Sequence, residues 1–221
     1  MDTSSQRKIL RVSPSCAISP LAGEITAALV GDGPTLGLGE ISSEYAPSYA
    51  AIAIGTSGTT GTSKEVLLSS SALISSAKAS NKFIGSQSGD TWSLLLPLTH
   101  IAAVNVVIRS MELGTTPIDL RDFVGEYPKA NFTAIVPTQL FRALNGEQRL
   151  LNHLKSAKAV LVGGAALSEG LRNQAELAGI NVITTYGMTE TCGGCVYDGT
   201  PLEGVQVKIR NEQICIKGPV L

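Results

Sequence analysis

The residue types best suited to chemistry are concentrated in one run, residues 55–64, which reads Gly-Thr-Ser-Gly-Thr-Thr-Gly-Thr-Ser-Lys. Glycines allow the backbone to turn tightly and to expose its N–H groups. A nest of such donors, with six hydroxyl side chains and the ammonium of Lys64, suits an anionic phosphate chain. A flexible linker is the alternative, but apolar segments, 50–54 and 66–68, flank the run on both sides. The run therefore predicts a phosphate-binding loop.

A second group of candidate residues follows the segment 181–185, Asn-Val-Ile-Thr-Thr, which we interpret as a strand. The group reads Tyr-Gly-Met-Thr-Glu-Thr over residues 186–191. Ligands bind at the carboxyl ends of strands in open α/β sheets, and the Glu190 carboxylate is a hard oxygen ligand that suits Mg²⁺ carried by a nucleotide triphosphate. Tyr186 offers an aromatic face for a base. The alternatives are that Glu190 is a solvated residue at a helix start and that Tyr186 belongs to the core.

The run at 55–64 differs from a Walker A loop, because Ser63 precedes Lys64 and Gly61 lies too far back. Taken with the group at 186–191, it resembles the adenylate-forming ligase superfamily, which includes acyl-CoA ligases, luciferases and the adenylation domains of peptide synthetases. Ser63 stands where that superfamily usually has proline, which bears on the rigidity of the loop.

Further segments narrow the resemblance to one branch of the superfamily. That branch makes the CoA thioester of o-succinylbenzoate in menaquinone biosynthesis, and the likeness is to its short actinobacterial form. The most specific segment runs through Cys192 and Cys195 to Gly199, and the resemblance covers most of residues 50–209. The segments that carry it are Leu96–Ala102, Val136–Leu140, Gly163–Ala166 and Tyr186–Gly199.

The resemblance implies roles for individual residues. Three of them would be catalytic: His100 beside the reacting carboxylate, Lys64 at the phosphates and Glu190 as the ligand of Mg²⁺. A structural histidine at a helix start is the alternative for His100. The residues that would bind the nucleotide and the acyl group are Thr56, Ser57, Gly58, Thr59, Thr60, Gly61 and Lys64 at the β- and γ-phosphates, Thr189 at the α-phosphate, and Gly163, Gly164, Thr185, Tyr186 and Gly187 around adenine and the acyl group.

The same resemblance implies ATP and Mg²⁺ as cofactors, coenzyme A as a co-substrate and a small carboxylic acid as the partner. The substrate carboxylate would attack the α-phosphorus of ATP, giving an acyl-adenylate and pyrophosphate, and the CoA thiol would then displace AMP. Two alternatives remain open: a ligase for another aromatic or fatty acid, and a nucleotide-binding fragment without turnover. Superfamily analogy is also compatible with a homodimer.

Four other residues invite functional interpretations. Cys192 and Cys195 have the spacing of a zinc or dithiol site, but zinc would need two more ligands and the surrounding motif contradicts a redox site. We interpret both as packing residues around the ligand pocket. Arg109 could bind the second carboxylate of a dicarboxylic acid, yet nine residues of ideal helix place it about 180° from His100, which favours a structural role. His153 lies in a polar helix and is predicted to be at the surface.

Composition limits the class of protein. The chain has 221 residues, a formal net charge of −1 and 43% hydrophobic residues. It can bury a core and is too neutral for nucleic acid or an anionic membrane to be the main partner. No apolar run reaches the roughly 18 residues of a membrane span, and residues 1–8 lack the apolar stretch of a signal peptide. The four cysteines do not make a dense disulfide framework, so we expect a cytoplasmic protein with reduced thiols.

Apolar segments of strand length alternate with segments of helical pattern, which predicts an α/β fold with a mainly parallel sheet flanked by helices. Alternating apolar and polar residues at 205–209 and 213–217 predict an antiparallel hairpin. We expect an α/β core over residues 1–200, the start of a β-subdomain over 201–221, and no C-terminal lid domain, so that the chain would be the N-terminal part of a ligase and weakly active or inactive alone. The predicted helices are 20–30, 69–84, 100–113, 121–129, 138–145, 148–155 and 168–178, and the other predicted strands are 50–54, 91–96, 116–120, 132–136, 159–162 and 181–185.

Overall fold

The computed structural model describes residues 6–56 and 64–221, which form two mixed β-sheets, one two-stranded hairpin and six α-helices. The helices are α1 (Ile18–Val30), α2 (Ser70–Phe83), α3 (Ile101–Glu112), α4 (Pro137–Leu144), α5 (Gln148–Ser156) and α6 (Glu169–Leu177). The strands are β1 (Gln6–Arg11), β2 (Thr35–Leu38), β3 (Tyr45–Pro47), β4 (Ala50–Thr56), β5 (Lys64–Ser69), β6 (Trp92–Leu94), β7 (Ile118–Asp119), β8 (Phe132–Ile135), β9 (Ala159–Val162), β10 (Val182–Met188), β11 (Gly193–Tyr197), β12 (Thr200–Pro201), β13 (Gln206–Arg210) and β14 (Gln213–Lys217), and a 3₁₀ turn covers Thr189–Thr191.

The larger sheet has seven strands in the order β12-β11-β10-β9-β8-β6-β7. The five strands from β10 to β7 are parallel, and β11 and β12 extend the sheet in antiparallel orientation. The central strands β8 and β9 are buried along their whole length, as expected of parallel strands covered on both faces. The carboxyl ends of the parallel strands therefore meet at one edge of this sheet.

The smaller sheet has five strands in the order β3-β1-β2-β4-β5. Strands β1, β2 and β4 are parallel, whereas β3 and β5 are antiparallel edge strands. The predicted buried segment 50–54 lies on β4, and each of its side chains is at most 1% exposed. Strands β4 and β5 pair with each other, and most of the glycine- and hydroxyl-rich run falls between them in the sequence.

Helices α1, α2 and α3 lie between the two sheets and share one hydrophobic core with them. Helix α3 is buried on nearly every side, since Ile101 and every residue from 103 to 110 are buried, which is typical of a helix enclosed by other elements. Helix α2 begins where it is predicted to begin. The Ser69 hydroxyl accepts a hydrogen bond from the Ala72 amide at 3.2 Å and so satisfies one of the unpaired N–H groups of the first turn.

Helices α4, α5 and α6 form a second core on the opposite face of the larger sheet. The predicted cap of α6 is present, because the Ser168 hydroxyl accepts from the Leu171 amide at 3.3 Å. The prediction that His153 lies at the surface is wrong. Its side chain is 2% exposed, and its Nε2 lies 2.8 Å from Ser93 Oγ on β6. Burial lowers the pKa of His153, because the charged form of a group is disfavoured away from water.

The α/β class is confirmed, with two differences from the expectation. Parallel strands form the centre of both sheets, but antiparallel strands complete each of them. Residues 121–129 form turns and bends instead of the predicted helix, because Gly125 adopts a φ of 96° and Pro128 has no N–H group to donate.

The predicted hairpin is present as β13 and β14, whose register runs from Gln206↔Lys217 to Arg210↔Gln213. Asn211 and Glu212 form its turn with φ values of 49° and 62°, the left-handed conformation that tight hairpin turns require. The division of the chain at residue 200 stays a prediction. In residues 6–56 and 64–221, no helix combines the length and the apolar character needed to cross a membrane.

Candidate functional site

A cavity of about 410 Å³ is lined by residues of both sheets and of α3. The carboxyl ends of β4, β8 and β9 contribute to its wall, together with β10 and β11. This is the position at which open α/β sheets bind ligands, and the volume lies within the range of small-molecule sites.

Predicted site residues from four separate parts of the chain come together around this cavity. They come from the end of β4, the start of α3, the turn after β9, and β10 with the residue that follows it. The predicted residues that line it are Thr56, His100, Gly163, Gly164, Thr185, Gly187 and Thr189.

Two of these positions need glycine because neighbouring strands approach closely. A Cβ atom on Gly187 would overlap the backbone oxygen of Gly193 on the adjacent strand, and one on Gly163 would overlap the Thr185 side chain. Gly163 and Gly187 therefore let β9, β10 and β11 meet at the edge of the cavity.

The two ends of the predicted phosphate site lie next to each other. Lys64 Nζ is 3.4 Å from Glu190 Oε1, although 126 residues separate the two in sequence. Thr56 and Lys64 are paired across β4 and β5, and the Thr56 hydroxyl donates to the Lys64 carbonyl at 3.0 Å. The two side chains of the ion pair are 68% and 44% exposed, so both charges are accessible to a ligand.

The remaining predicted residues, and Lys64 and Glu190 themselves, are not among the described residues that line this cavity. Ser57, Gly58, Thr59, Thr60 and Gly61 lie outside the described residues, and their role stays a prediction. Tyr186 is 42% exposed and is not among the described residues that line the cavity. Its neighbours Thr185 and Gly187 do line the cavity, and the register of β10 against β11 shifts between Tyr186 and Gly187.

His100 lies on the cavity wall as the residue that precedes α3. It has the extended conformation of an N-cap residue, with φ −117° and ψ 143°. The prediction that His100 and Arg109 face apart is therefore wrong, because helical rotation does not apply to a residue outside the helix. Ile101, Asn105 and Arg109 line the same cavity, since residues four apart share one face of a helix.

Arg109 is a buried cation without a counterion in the described part of the chain. Its side chain is 3% exposed, and none of the ion pairs formed by the described residues includes it. Nη2 donates to the Tyr197 hydroxyl at 2.9 Å, the guanidinium carbon lies 5.2 Å from the centre of the Trp92 ring, and Nε has no hydrogen-bond partner among the described residues. A buried charge without a partner is costly, so Arg109 is suited to receive a ligand carboxylate.

Asn105 and Ser76 support the backbone just after the 3₁₀ turn. Asn105 Nδ2 donates to the Cys192 carbonyl at 2.7 Å, and Ser76 Oγ donates to the same oxygen at 3.2 Å. Cys192 has a φ of 51°, which is unfavourable for a side chain larger than glycine. Helices α2 and α3 therefore hold the turn that carries Glu190 in a fixed position.

Cys192 and Cys195 are packing residues, as predicted, but they belong to the core and are not among the described residues that line the cavity. Both are 0% exposed and belong to the core between the sheets. Burial raises the pKa of the Cys192 thiol to about 12 and also raises the pKa of Cys195. Thiolates are the reactive and metal-binding form, and burial disfavours that form for both residues. Within the described ranges, no three His, Cys, Asp or Glu residues are grouped as a metal site would require.

Comparison with known proteins places the chain in a family. The family model described as AMP-binding enzyme matches residues 15–219. The chain therefore belongs to the AMP-binding enzyme family. It is 38% identical over 184 residues to the probable 2-succinylbenzoate–CoA ligase of Mycobacterium tuberculosis, covering 77% of this chain and 47% of that protein. It is 33% identical over 172 residues to the 2-succinylbenzoate–CoA ligase of Escherichia coli, covering 73% of this chain and 37% of that protein. The chain spans about half the length of the first of these curated relatives and a smaller share of the second.

Solved structures share the fold. Wild-type MenE of Escherichia coli, with a bound m-phenylether-linked analogue of OSB-AMS, has a TM-score of 0.69 and 25% identity, covering 97% of this chain and 52% of that chain. The o-succinylbenzoate coenzyme A synthetase of Bacillus subtilis, in complex with ATP and magnesium ion, has a TM-score of 0.68 and 24% identity, covering 90% and 54%. The second likeness concerns the fold alone.

Proposed function

We propose that the protein is an AMP-forming acid–CoA ligase that activates o-succinylbenzoate for menaquinone biosynthesis, and that this chain binds ATP and the acid. The observation that carries the proposal is that one cavity is lined by residues of both motifs and by Arg109, a buried arginine without a counterion among residues 6–56 and 64–221. The family match supports the adenylating chemistry. The names of the relatives in Mycobacterium tuberculosis and Escherichia coli support the acid.

Lys64 and Glu190 would bind the phosphates and their metal ion. An exposed ion pair contributes at most about 1 kcal/mol, so each partner can exchange the other for a ligand at little cost. Mg²⁺ is usually held by one or two carboxylates together with substrate phosphates, and a single exposed carboxylate such as Glu190 fits that pattern. Bound Mg²⁺ would neutralise charge on the phosphate oxygens.

The reaction we propose has two steps. The acid's carboxylate attacks the α-phosphorus of ATP and releases pyrophosphate, and the CoA thiol then displaces AMP to give the thioester. In the first step His100 would hold the carboxylate, Thr189 would face the α-phosphate, and Lys64 would stabilise the departing pyrophosphate. These are contributions of positioning and of electrostatic stabilisation.

Arg109 favours a dicarboxylic acid over the alternative substrates. A fatty acid would place an apolar chain against a buried guanidinium and leave its charge unneutralised, which is costly. A second carboxylate could instead accept two parallel hydrogen bonds from the guanidinium. o-Succinylbenzoate carries such a second carboxylate, and a simple aromatic monoacid does not.

ATP–pyrophosphate exchange tests the proposal. The protein expressed from its complete reading frame would be assayed with o-succinylbenzoate, benzoate and a medium-chain fatty acid, with and without Mg²⁺. We expect exchange to be fastest with o-succinylbenzoate and to require Mg²⁺. Faster exchange with a fatty acid would contradict the substrate, and a lack of exchange with every acid would favour a nucleotide-binding protein without turnover. The same assay on the 221-residue chain tests whether it is weakly active alone.

A further inference from the structure

We propose that Tyr197 is a positioning residue that holds Arg109 ready for the second carboxylate of the acid, an inference that rests on the proposed function. Tyr197 lies on β11, and both residues line the cavity. The Tyr197 side chain is 0% exposed. Its ring packs edge to face against Phe83, with ring centres 5.3 Å apart and planes inclined at 75°, so the hydroxyl has a fixed position.

The Tyr197 hydroxyl connects Arg109 to Ser80. It lies 2.9 Å from Arg109 Nη2 and 2.8 Å from Ser80 Oγ. A guanidinium can only donate hydrogen bonds, so the Tyr197 oxygen accepts from Arg109 and its own proton is free to be donated to Ser80. The result is a hydrogen-bonded chain from α3 through β11 to α2. Because all three side chains are buried, the bonds polarise and strengthen one another.

Trp92 restrains the guanidinium from a second direction. The Arg109 guanidinium carbon lies 5.2 Å from the centre of the Trp92 ring, within the distance of a cation–π contact. Tyr197 takes one of the five N–H donors of the arginine, and Nε has no partner in the described ranges. The group is thus oriented before a ligand arrives, while donors remain for a carboxylate. Such preorganisation lowers the ordering cost of binding.

This arrangement should affect binding of the acid but not the use of ATP. Loss of the Tyr197 hydroxyl would release Arg109 from its orientation and weaken the interaction with a second carboxylate. The hydrogen-bonded chain contains neither Lys64 nor Glu190, so the use of ATP should be unaffected. Tyr197 would therefore set the preference of the enzyme for a dicarboxylic acid over a monocarboxylic one.

The test compares two acids in the protein expressed from its complete reading frame. One acid is o-succinylbenzoate, and the other is its analogue in which the carboxylate that is not activated is a carboxamide. In Tyr197→Phe we expect KM for o-succinylbenzoate to rise about tenfold, the typical effect of a lost hydrogen bond to a charged group. KM for ATP, kcat and KM for the carboxamide should stay close to their wild-type values. Ser80→Ala should act in the same direction with a smaller effect.

A matched control removes the same hydroxyl from another tyrosine–arginine pair. The Tyr127 hydroxyl accepts from Arg149 Nη2 at 3.0 Å, and that guanidinium also stacks on the tyrosine ring at 4.2 Å. Neither residue is among the described residues that line the cavity. Tyr127→Phe should leave KM unchanged for both acids, which separates a general loss of packing from an effect on Arg109.

Trp92 provides a measurement that needs no turnover. It is the only tryptophan in the chain, so titration with either acid can be followed by its fluorescence, with Trp92→Phe to subtract other signals. We expect Tyr197→Phe to lose about tenfold in affinity for o-succinylbenzoate alone. Equal weakening for both acids, or no change, overturns the positioning role. If the wild-type protein binds o-succinylbenzoate but shows no pyrophosphate exchange, only the proposed function is contradicted. If the wild-type protein binds both acids equally well, the positioning role is contradicted.

Discussion

Lys64 and Glu190 form an ion pair that we expect to matter for ligand binding and not for stability. Their charges lie 3.4 Å apart on side chains that are 68% and 44% exposed. In that environment solvent screens the attraction, and the ordering of two long side chains offsets much of the remaining gain. Removal of one charge should therefore change activity far more than the melting temperature.

Glu190→Gln tests this separation. We expect the rate of pyrophosphate exchange to fall by about 100-fold, the usual effect of removing one preorganised electrostatic group from a site. The melting temperature should change by no more than about 2 °C. Glu203→Gln is the matched control, since Glu203 pairs with Lys82 at 2.9 Å and both side chains are more than 60% exposed. Equal exchange rates in the two variants would contradict the role of Glu190.

The candidate site divides into residues that motifs identify and residues that only the fold identifies. Lys64 and Glu190 could be predicted because phosphate and metal chemistry restricts residue type and spacing within a short segment. The role of Arg109 could not be predicted reliably, since whether a buried cation has a counterion depends on which acidic residues lie near it in three dimensions. One local signal was available. Arg109 follows a run of mostly apolar residues, 101–108, a pattern that favours an enclosed position for its charge.

Strand β5 is hydrogen-bonded to residues 42 and 43, in the segment that lies beside Gly55 at the start of the phosphate run. Glu65 Oε1 accepts hydrogen bonds from the Ser42 amide at 2.6 Å, from the Ser42 hydroxyl at 2.7 Å and from the Ser43 amide at 3.0 Å. The neighbouring residue Glu40 lies so close to Gly55 that a Cβ atom there would overlap its backbone. A carboxylate on β5 thus fixes the wall beside Gly55.

The charge of Glu65 makes this connection sensitive to pH. Burial raises its pKa, but hydrogen bonds donated by Ser43 and Ser42 outweigh that effect and lower the pKa from 4.5 to about 2. The unfolded chain therefore binds this proton more tightly than the folded protein does. Its contribution to stability is complete above pH 4.5 and is lost as the pH falls toward 2.

Glu65→Gln should lower the midpoint of urea unfolding at pH 6, and the difference from wild type should shrink as the pH falls to 2.5. Other carboxyl groups with lowered pKa values, such as Asp90 and Asp119, titrate in both proteins and cancel in the comparison. Glu126→Gln, at an exposed position, should leave the midpoint near that of wild type at both pH values. A Glu65→Gln difference of constant size across this range would show that the carboxylate charge plays no part.

Helices and strands with local sequence signals could be predicted, whereas strands that depend on pairing with distant segments could not. Helices α2 and α6 could be predicted from the capping serines Ser69 and Ser168, and β4, β8 and β9 from short buried apolar segments. Strands β2 and β3 lack such a signal, since β2 contains Gly37 and β3 ends at Pro47, and they are defined by pairing with β1 and β4. The helix expected at 121–129 is absent because Gly125 adopts a left-handed φ and Pro128 has no N–H group to donate.

The two sheets are joined by a single core, so we expect the described part of the molecule to unfold as one unit. Buried residues of that core extend from Leu36 on β2, through the helices, to Leu161 on β9. Trp92 lies in the larger sheet and is 0% exposed, so its fluorescence reports on the sheet that does not contain Leu36. A shared core predicts that damage to one sheet destabilises both.

Leu36→Ala should cost about 2–5 kcal/mol, the range for truncation of a buried leucine. Urea unfolding followed by Trp92 fluorescence and by far-ultraviolet circular dichroism should shift to the same lower midpoint, because the smaller sheet cannot lose its packing without exposing the larger one. Val30→Ala, at a position that is 66% exposed, should leave both curves near wild type. If the fluorescence midpoint stayed in place while the dichroism curve moved or split, the sheets would be independent units. The cavity between them would then have a geometry that varies with the stability of each sheet.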